Sequence, residues 1–173
     1  GTADPTRLSL ERIDARLGKV IDGSFAGAAL SLNNVPLDVY DAQGDWRFAE
    51  GRLAMREGTF WLKDRQLDAR FNPLVSRNAE LSLRGSEFVV EAMLREPKSD
   101  REIVNARIVH DMDGQTGHAD LTVPGIVFDR KLQPTTLTYL AQGVIALAKG
   151  TVTGSGRIGW DDERVTSTGS FST

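Results

Sequence analysis

The chain has 173 residues, of which 40% are apolar and 26% charged, with a net charge of −3 and no cysteine. That composition suits one folded domain with a hydrophobic core and excludes a disordered tail. The missing cysteines exclude disulfides, thiolate metal sites and cysteine nucleophiles, and the absence of a basic stripe argues against nucleic acid as a partner.

In chain order, period-two alternation dominates. Leu8 and Leu10 alternate with Arg7 and Ser9, and Ile13, Ala15 and Leu17 continue one residue out of phase, the mark of a bulge. Leu53 and Met55 alternate with Arg52, Ala54 and Arg56. Leu67, Ala69 and Phe71 alternate with Asp68 and Arg70, predicting a further strand. Ala79, Leu81 and Leu83 follow, then Phe88, Val90, Ala92 and Leu94, then Val104, Ala106 and Ile108, then Ala119, Leu121 and Val123. Near the end Val152, Ile158 and Trp160 share a parity. Successive side chains of a strand point to opposite faces, so each stretch has one apolar and one polar face, as in antiparallel sheet solvated on one side.

Turn residues separate the stretches: Asn33-Asn34, Gln43-Gly44, Glu57-Gly58, Arg84-Gly85-Ser86, Pro97 to Asp100, Asp113-Gly114 and Asp161-Asp162. One segment breaks the pattern. From Pro134 to Lys149 the apolar positions Leu137, Leu140, Val144 and Leu147 recur at helical steps, with Pro134 suited to the first turn and Lys149-Gly150 to the end. This predicts one short helix of two to four turns near residues 134–149, in an otherwise mostly β, antiparallel chain. No break divides the chain, so 1–173 reads as a single β segment. Its ends, Gly1 and Ser172-Thr173 within a strand pattern, read as cut from a longer protein.

Chemistry-bearing motifs are scarce. His110 and His118 flank Asp111-Met112-Asp113-Gly114, and a hairpin there would bring two imidazoles near Asp111, Asp113 and Asp120. A polar hairpin tip explains the same residues better than a metal site, since Asp-Gly is a strong turn signal. The partial echo of a calcium loop lacks its first ligand, where Val109 stands, and its closing Glu. No nucleophile elbow, phosphate loop or dinucleotide fingerprint occurs. No residue asks for a catalytic role and no cofactor is implied.

The apolar faces themselves are what remains. Either two of them meet in a closed sandwich or barrel, giving a structural or adhesion domain, or the sheet bends into a gutter whose apolar face meets lipid. A carbohydrate-binding face would want clustered aromatics, whereas Trp46, Trp61 and Trp160 are far apart in sequence.

The C-terminal third carries a resemblance. Leu121-Thr-Val-Pro-Gly-Ile-Val-Phe128, then Leu132-Gln-Pro134, Lys149-Gly150, the series Val152, Gly154, Gly156, Ile158, Trp160, and Thr166-Ser-Thr-Gly-Ser-Phe171 resemble the YdbH family of the AsmA-like superfamily, which includes TamB. The resemblance implies an elongated, curled β-sheet with an apolar groove, in a periplasmic protein of Gram-negative bacteria anchored in the inner membrane. It implies phospholipid acyl chains as the partner, an outer-membrane-side partner of unspecified kind, and no enzyme activity. The lining residues expected from parity are Leu53, Met55, Leu67, Ala69, Phe71, Leu81, Leu83, Val90, Ala92, Leu94, Val104, Ala106, Ile108, Leu121 and Val123. About ten strands spaced by about 4.8 Å would give about 45 Å of track. Exposed edge strands would also favour self-association of the segment.

Overall fold

The computed structural model describes residues 7–31, 36–143 and 147–173. It is one antiparallel sheet of eleven strands that does not close on itself. The strands are β1 (Arg7–Ser9), β2 (Arg12–Arg16), β3 (Ile21–Ser31), β4 (Leu37–Ala49), β5 (Arg52–Asp64), β6 (Leu74–Arg84), β7 (Glu87–Arg95), β8 (Glu102–Asp111), β9 (Thr116–Phe128), β10 (Gly150–Trp160) and β11 (Val165–Ser172). From β3 onward each strand pairs with its predecessor, so the sheet is a meander. Strands β1 and β2 both pair with β3 on one side, separated by Leu10 and Glu11.

Register makes one face continuously apolar. Phe48 pairs with Leu53, Leu53 with Leu83, Leu83 with Phe88 and Phe88 with His110. One step along the strands, Trp46, Met55, Leu81, Val90, Ile108, Ala119 and Ile158 form a second row. The next row runs Ala92, Ala106, Leu121, Gly156 and Gly169.

Two of the expected turns are bulges in mid-strand. Gln43-Gly44 lies within β4 and Glu57-Gly58 within β5, where the registers shift between Tyr40 and Asp45 and between Met55 and Phe60. The turn joining these strands is Glu50-Gly51 instead, both residues left-handed, at φ 53° and 71°, as a tight type I′ hairpin requires. The bulges line up: Gly27 (φ 67°), Asp41 (φ 50°) and Glu57 (φ 53°) take left-handed backbone in three consecutive strands. Gly44 and Gly58 meet there so closely that a Cβ on Gly44 would stand 3.2 Å from the Gly58 Cα. Each bulge advances the parity by one residue, so Phe25 and Leu30, or Met55 and Phe60, fall on the same face although an odd number of residues separates them. Bulged strands bend and twist more strongly, and an aligned series creases the sheet across its strands. The slip between Leu10 and Ile13 marks the edge of this series. The turns at Arg84-Gly85-Ser86, Pro97 to Asp100, Asp113-Gly114 and Asp161-Asp162 form as expected; Asn33-Asn34 lies outside the described residues.

The Leu67, Ala69, Phe71 stretch is a loop rather than a strand. Asp64, buried at the end of β5, accepts hydrogen bonds from the Gln66 and Arg70 amides and from Arg70 Nε at 2.6 Å, which curls the chain around its carboxylate. Leu67 is left fully exposed. The expected helix is also shorter. A single α-helical turn, α1 (Pro134–Leu137), is followed by a 3-10 turn at Tyr139–Ala141. Thr138 between them is extended, at φ −150° and ψ 139°, and its β-branched side chain accepts locally from Leu140 N and donates to Arg70 O in the β5–β6 loop. Gly143 at φ 74° then turns the chain away; Val144 lies outside the described residues.

Burial pushes the Asp64 carboxyl up, but the hydrogen bonds from Arg70 and Gln66 outweigh it and hold the pKa at about 2, below its ordinary 3.8. The stabilisation is therefore full above the unfolded value near 4 and is lost as pH falls through about 2. In urea unfolding, Asp64→Asn should cost about 2 kcal/mol at neutral pH, and the gap should close near pH 2. A gap independent of pH would show that the carboxylate charge does not hold this loop.

Candidate functional site

A single sheet leaves its apolar face without a second layer. The accessible surface is 11567 Å², against about 8,300 Å² for a compact globular protein of this mass. Small residues such as Ala92, Ala106 and Ala119 are buried on the face by their neighbours, whereas Leu53, Met55, Leu81, Leu83, Val90, Ile108 and Leu121 remain partly exposed. The closed sandwich considered from sequence does not form.

The face is closed along one margin only. The connection from β9 to β10 runs back to the β5–β6 loop, where Leu137 O accepts from Asn72 N and Thr136 O from the Asn72 side chain. It lays Leu132, fully buried, against Leu74, Leu94, Ile103 and Ile126, with Phe71, Val104, Val123 and Leu137 packed around them. Of the fifteen residues expected to line the face, Leu53, Met55, Leu81, Leu83, Val90, Ala92, Leu94, Val104, Ala106, Ile108, Leu121 and Val123 lie on it or in this marginal core. Leu67 and Ala69 sit in the loop away from the rows, and Phe71 reaches the marginal core from that loop.

Over β8 to β11 the face sinks into an open depression of about 470 Å³ lined by Val104, Leu121, Val123, Gly156, Ile158, Ser167, Gly169 and Phe171. Its floor is made by glycines. A Cβ on Gly156 would stand 3.1 Å from Thr168 O, and one on Gly169 3.2 Å from Ser155 O. Gly156 and Gly169 line the depression and escape apolar counting, because a glycine carries no hydrophobic signal; Ile158 and Phe171 line it too and lay outside the expected set. The aromatics Trp46, Phe48 and Trp160 were missed because they belong to strands whose alternation is broken by glycines.

The two histidines do not come together. His110 pairs with Gly117 and His118 with Val109, so one imidazole lies on each face. His110 Nδ1 accepts the Trp160 indole N–H at 3.2 Å, which places the proton of a neutral imidazole on Nε2. The Asp111 loop is a turn: its carboxylate accepts from the Asp113 and Gly114 amides, and a Ser86 hydrogen bond, aided by these, holds its pKa below the ordinary value.

The opposite face is charged, and some of its charges pair. Glu91 and Arg107 meet at 3.0 Å, and Arg157 binds Asp120 through two nitrogens at 2.5 and 2.9 Å. The Arg157 hydrogen bonds lower the Asp120 pKa, and Asp120 raises that of Arg157. The described residues thus form a sheet with a polar side and an apolar side. Its rows offer contact area without a discrete polar pocket, which suits long aliphatic chains.

Comparison with known families agrees with this geometry. The family model YdbH-like, described as intermembrane phospholipid transport protein YdbH, matches residues 2–173. No curated protein matches the chain, and no solved structure does.

If the face is open, truncations on it should cost according to local cover. Leu94→Ala, in the marginal core, should lower stability by about 3 kcal/mol, and Leu81→Ala by about 1 kcal/mol, both read from urea unfolding. Equal costs would mean that something covers Leu81 as fully as Leu94.

Proposed function

The chain belongs to the YdbH-like family, whose members transport phospholipid between membranes, and from that premise we propose that its apolar face is the surface along which acyl chains travel. The observation that carries this reading is the register: eleven strands present their apolar residues on one face, and no second layer of the fold covers it.

Acyl chains lie against the rows of Leu81, Val90, Ile108 and Ala119 and in the glycine-floored depression, while the polar headgroup stays in water at the rim of the face. Leaving water is worth about 0.8 kcal/mol per methylene, so a two-chain lipid crosses water slowly and follows a continuous apolar surface readily. Leu, Val, Ile and Ala side chains provide attraction without directional bonds, and a lipid therefore slides rather than locks. The crease set by the aligned bulges curves the face around its cargo. The chain acts without catalysis, in the periplasm, as one stretch of a longer protein held in the inner membrane, and passes phospholipid toward the outer membrane. No helix among the described residues is long and apolar enough to cross a membrane, so the anchor in this reading is not among them.

Protein purified from bacterial cells should release phospholipid on organic extraction, identified by mass spectrometry. Ile108→Asp, which puts a charge in mid-row, should bind several-fold less while keeping its β circular dichroism. Lipid-free protein that takes up none from vesicles would overturn the reading.

A further inference from the structure

The meander sends its connections alternately to two margins of the sheet, and the margins carry opposite charge. One margin holds the connections 17–20, 50–51, 85–86, 112–115 and 161–164. These contain two cations, Lys19 and Arg164, against five carboxylates, Glu50, Asp113, Asp161, Asp162 and Glu163. The other margin holds, among the described residues, 65–73, 96–101, 129–143 and 147–149, with seven cations against four carboxylates. The difference is −3 against +3.

The basic excess concentrates in the 129–149 connection, at Arg130, Lys131 and Lys149. All three are exposed, and none has an ion-pair partner among the described residues. Their backbone is fixed. Asp129, held by Arg101 at 2.6 Å, accepts from the Lys131 and Leu132 amides. Gln133 ties this turn to Ala148 O at 3.0 Å, next to Lys149. Between the cations and the apolar face the chain buries Leu132 completely, and the same connection exposes Tyr139 at 57%, Leu140 at 69% and Leu147 at 88%. Unpaired cations on a connection that also exposes apolar side chains, at the margin of an apolar face, match a lipid with aliphatic tails and a negative headgroup. The acidic margin would repel that headgroup.

Resting on the acyl-chain reading above, we propose that the basic margin selects anionic phospholipids, whose phosphates lie against Arg130, Lys131 and Lys149 while their tails enter the apolar face. The orientation follows: headgroups travel along the margin of the 129–149 connection and not along that of Asp161, Asp162 and Glu163.

The test is lipid uptake from vesicles of phosphatidylcholine containing a minority of phosphatidylglycerol, with protein re-isolated and its bound lipid extracted. The unaltered chain should be enriched in phosphatidylglycerol by about fivefold over the vesicles at low salt, since one basic residue near a headgroup is worth about that factor, and high salt should reduce the enrichment. The triple variant Arg130→Gln, Lys131→Gln, Lys149→Gln should bind as much total lipid with no enrichment. A control at the acidic margin, Lys19→Gln with Arg164→Gln, should keep it. Uptake by the unaltered chain at the vesicle ratio, or a triple variant that keeps the enrichment, overturns the headgroup proposal and leaves the acyl-chain reading intact. No uptake of either lipid overturns both. Binding to the vesicle surface that disappears in the triple variant, without extractable lipid, would assign these cations to membrane docking and overturn the proposal as well.

Discussion

Register is the constraint on which everything else in this molecule depends. In a sheet whose two faces differ, a slip of one residue moves every apolar side chain of a strand to the wrong side. The meander fixes the register of each strand through its neighbour. The pairs Leu53–Leu83, Leu83–Phe88 and Ala106–Leu121 show that the rows stay in phase from strand to strand. The aligned bulges depend on the same rule. Each inserts one residue at the same level, so the slip is shared between neighbours and both halves of every strand keep their apolar residues on one face.

This arrangement solves the problem of a wide apolar face differently from a globular domain. A sandwich would bury it against a second sheet. Here burial is local: alanines are covered by their larger neighbours, and Leu132 closes one margin against Leu74, Leu94, Ile103 and Ile126. The remaining face stays accessible, with the paired charges Glu91–Arg107 and Asp120–Arg157 on the side behind it. Stability thus comes from the hydrogen-bonded ladder and the marginal core, which leaves the middle rows free to exchange one apolar neighbour for another.

Much of the architecture was legible in the sequence. Strands β5 to β9 follow alternation that needs no tertiary information, and the turns at Asp113-Gly114 and Asp161-Asp162 carry their own backbone preferences. The turn residues Gln43-Gly44 and Glu57-Gly58 misled, because left-handed backbone serves a bulge as well as a turn. Leu67, Ala69 and Phe71 alternate perfectly, yet the buried Asp64 carboxylate takes the amides of that loop and overrides the pattern. The helical spacing after Pro134 yields to Thr138 and Gly143. Strands β3 and β4 carried no signal, since their apolar residues are interrupted by glycine and aspartate at the crease. The glycine floor at Gly156 and Gly169 and the charge polarity of the two margins depend on topology: only the meander sorts the connections to alternate margins.

The central claim is that lipid, rather than protein or water alone, meets the apolar rows. It is tested most directly by placing a photo-crosslinking amino acid at position 108 or at position 107 of the protein in living cells and analysing the adducts by mass spectrometry. Ile108 and Arg107 are sequence neighbours on opposite faces. The account predicts phospholipid adducts at 108 and none at 107. Equal labelling at both positions, or a protein adduct in place of lipid at 108, would contradict it.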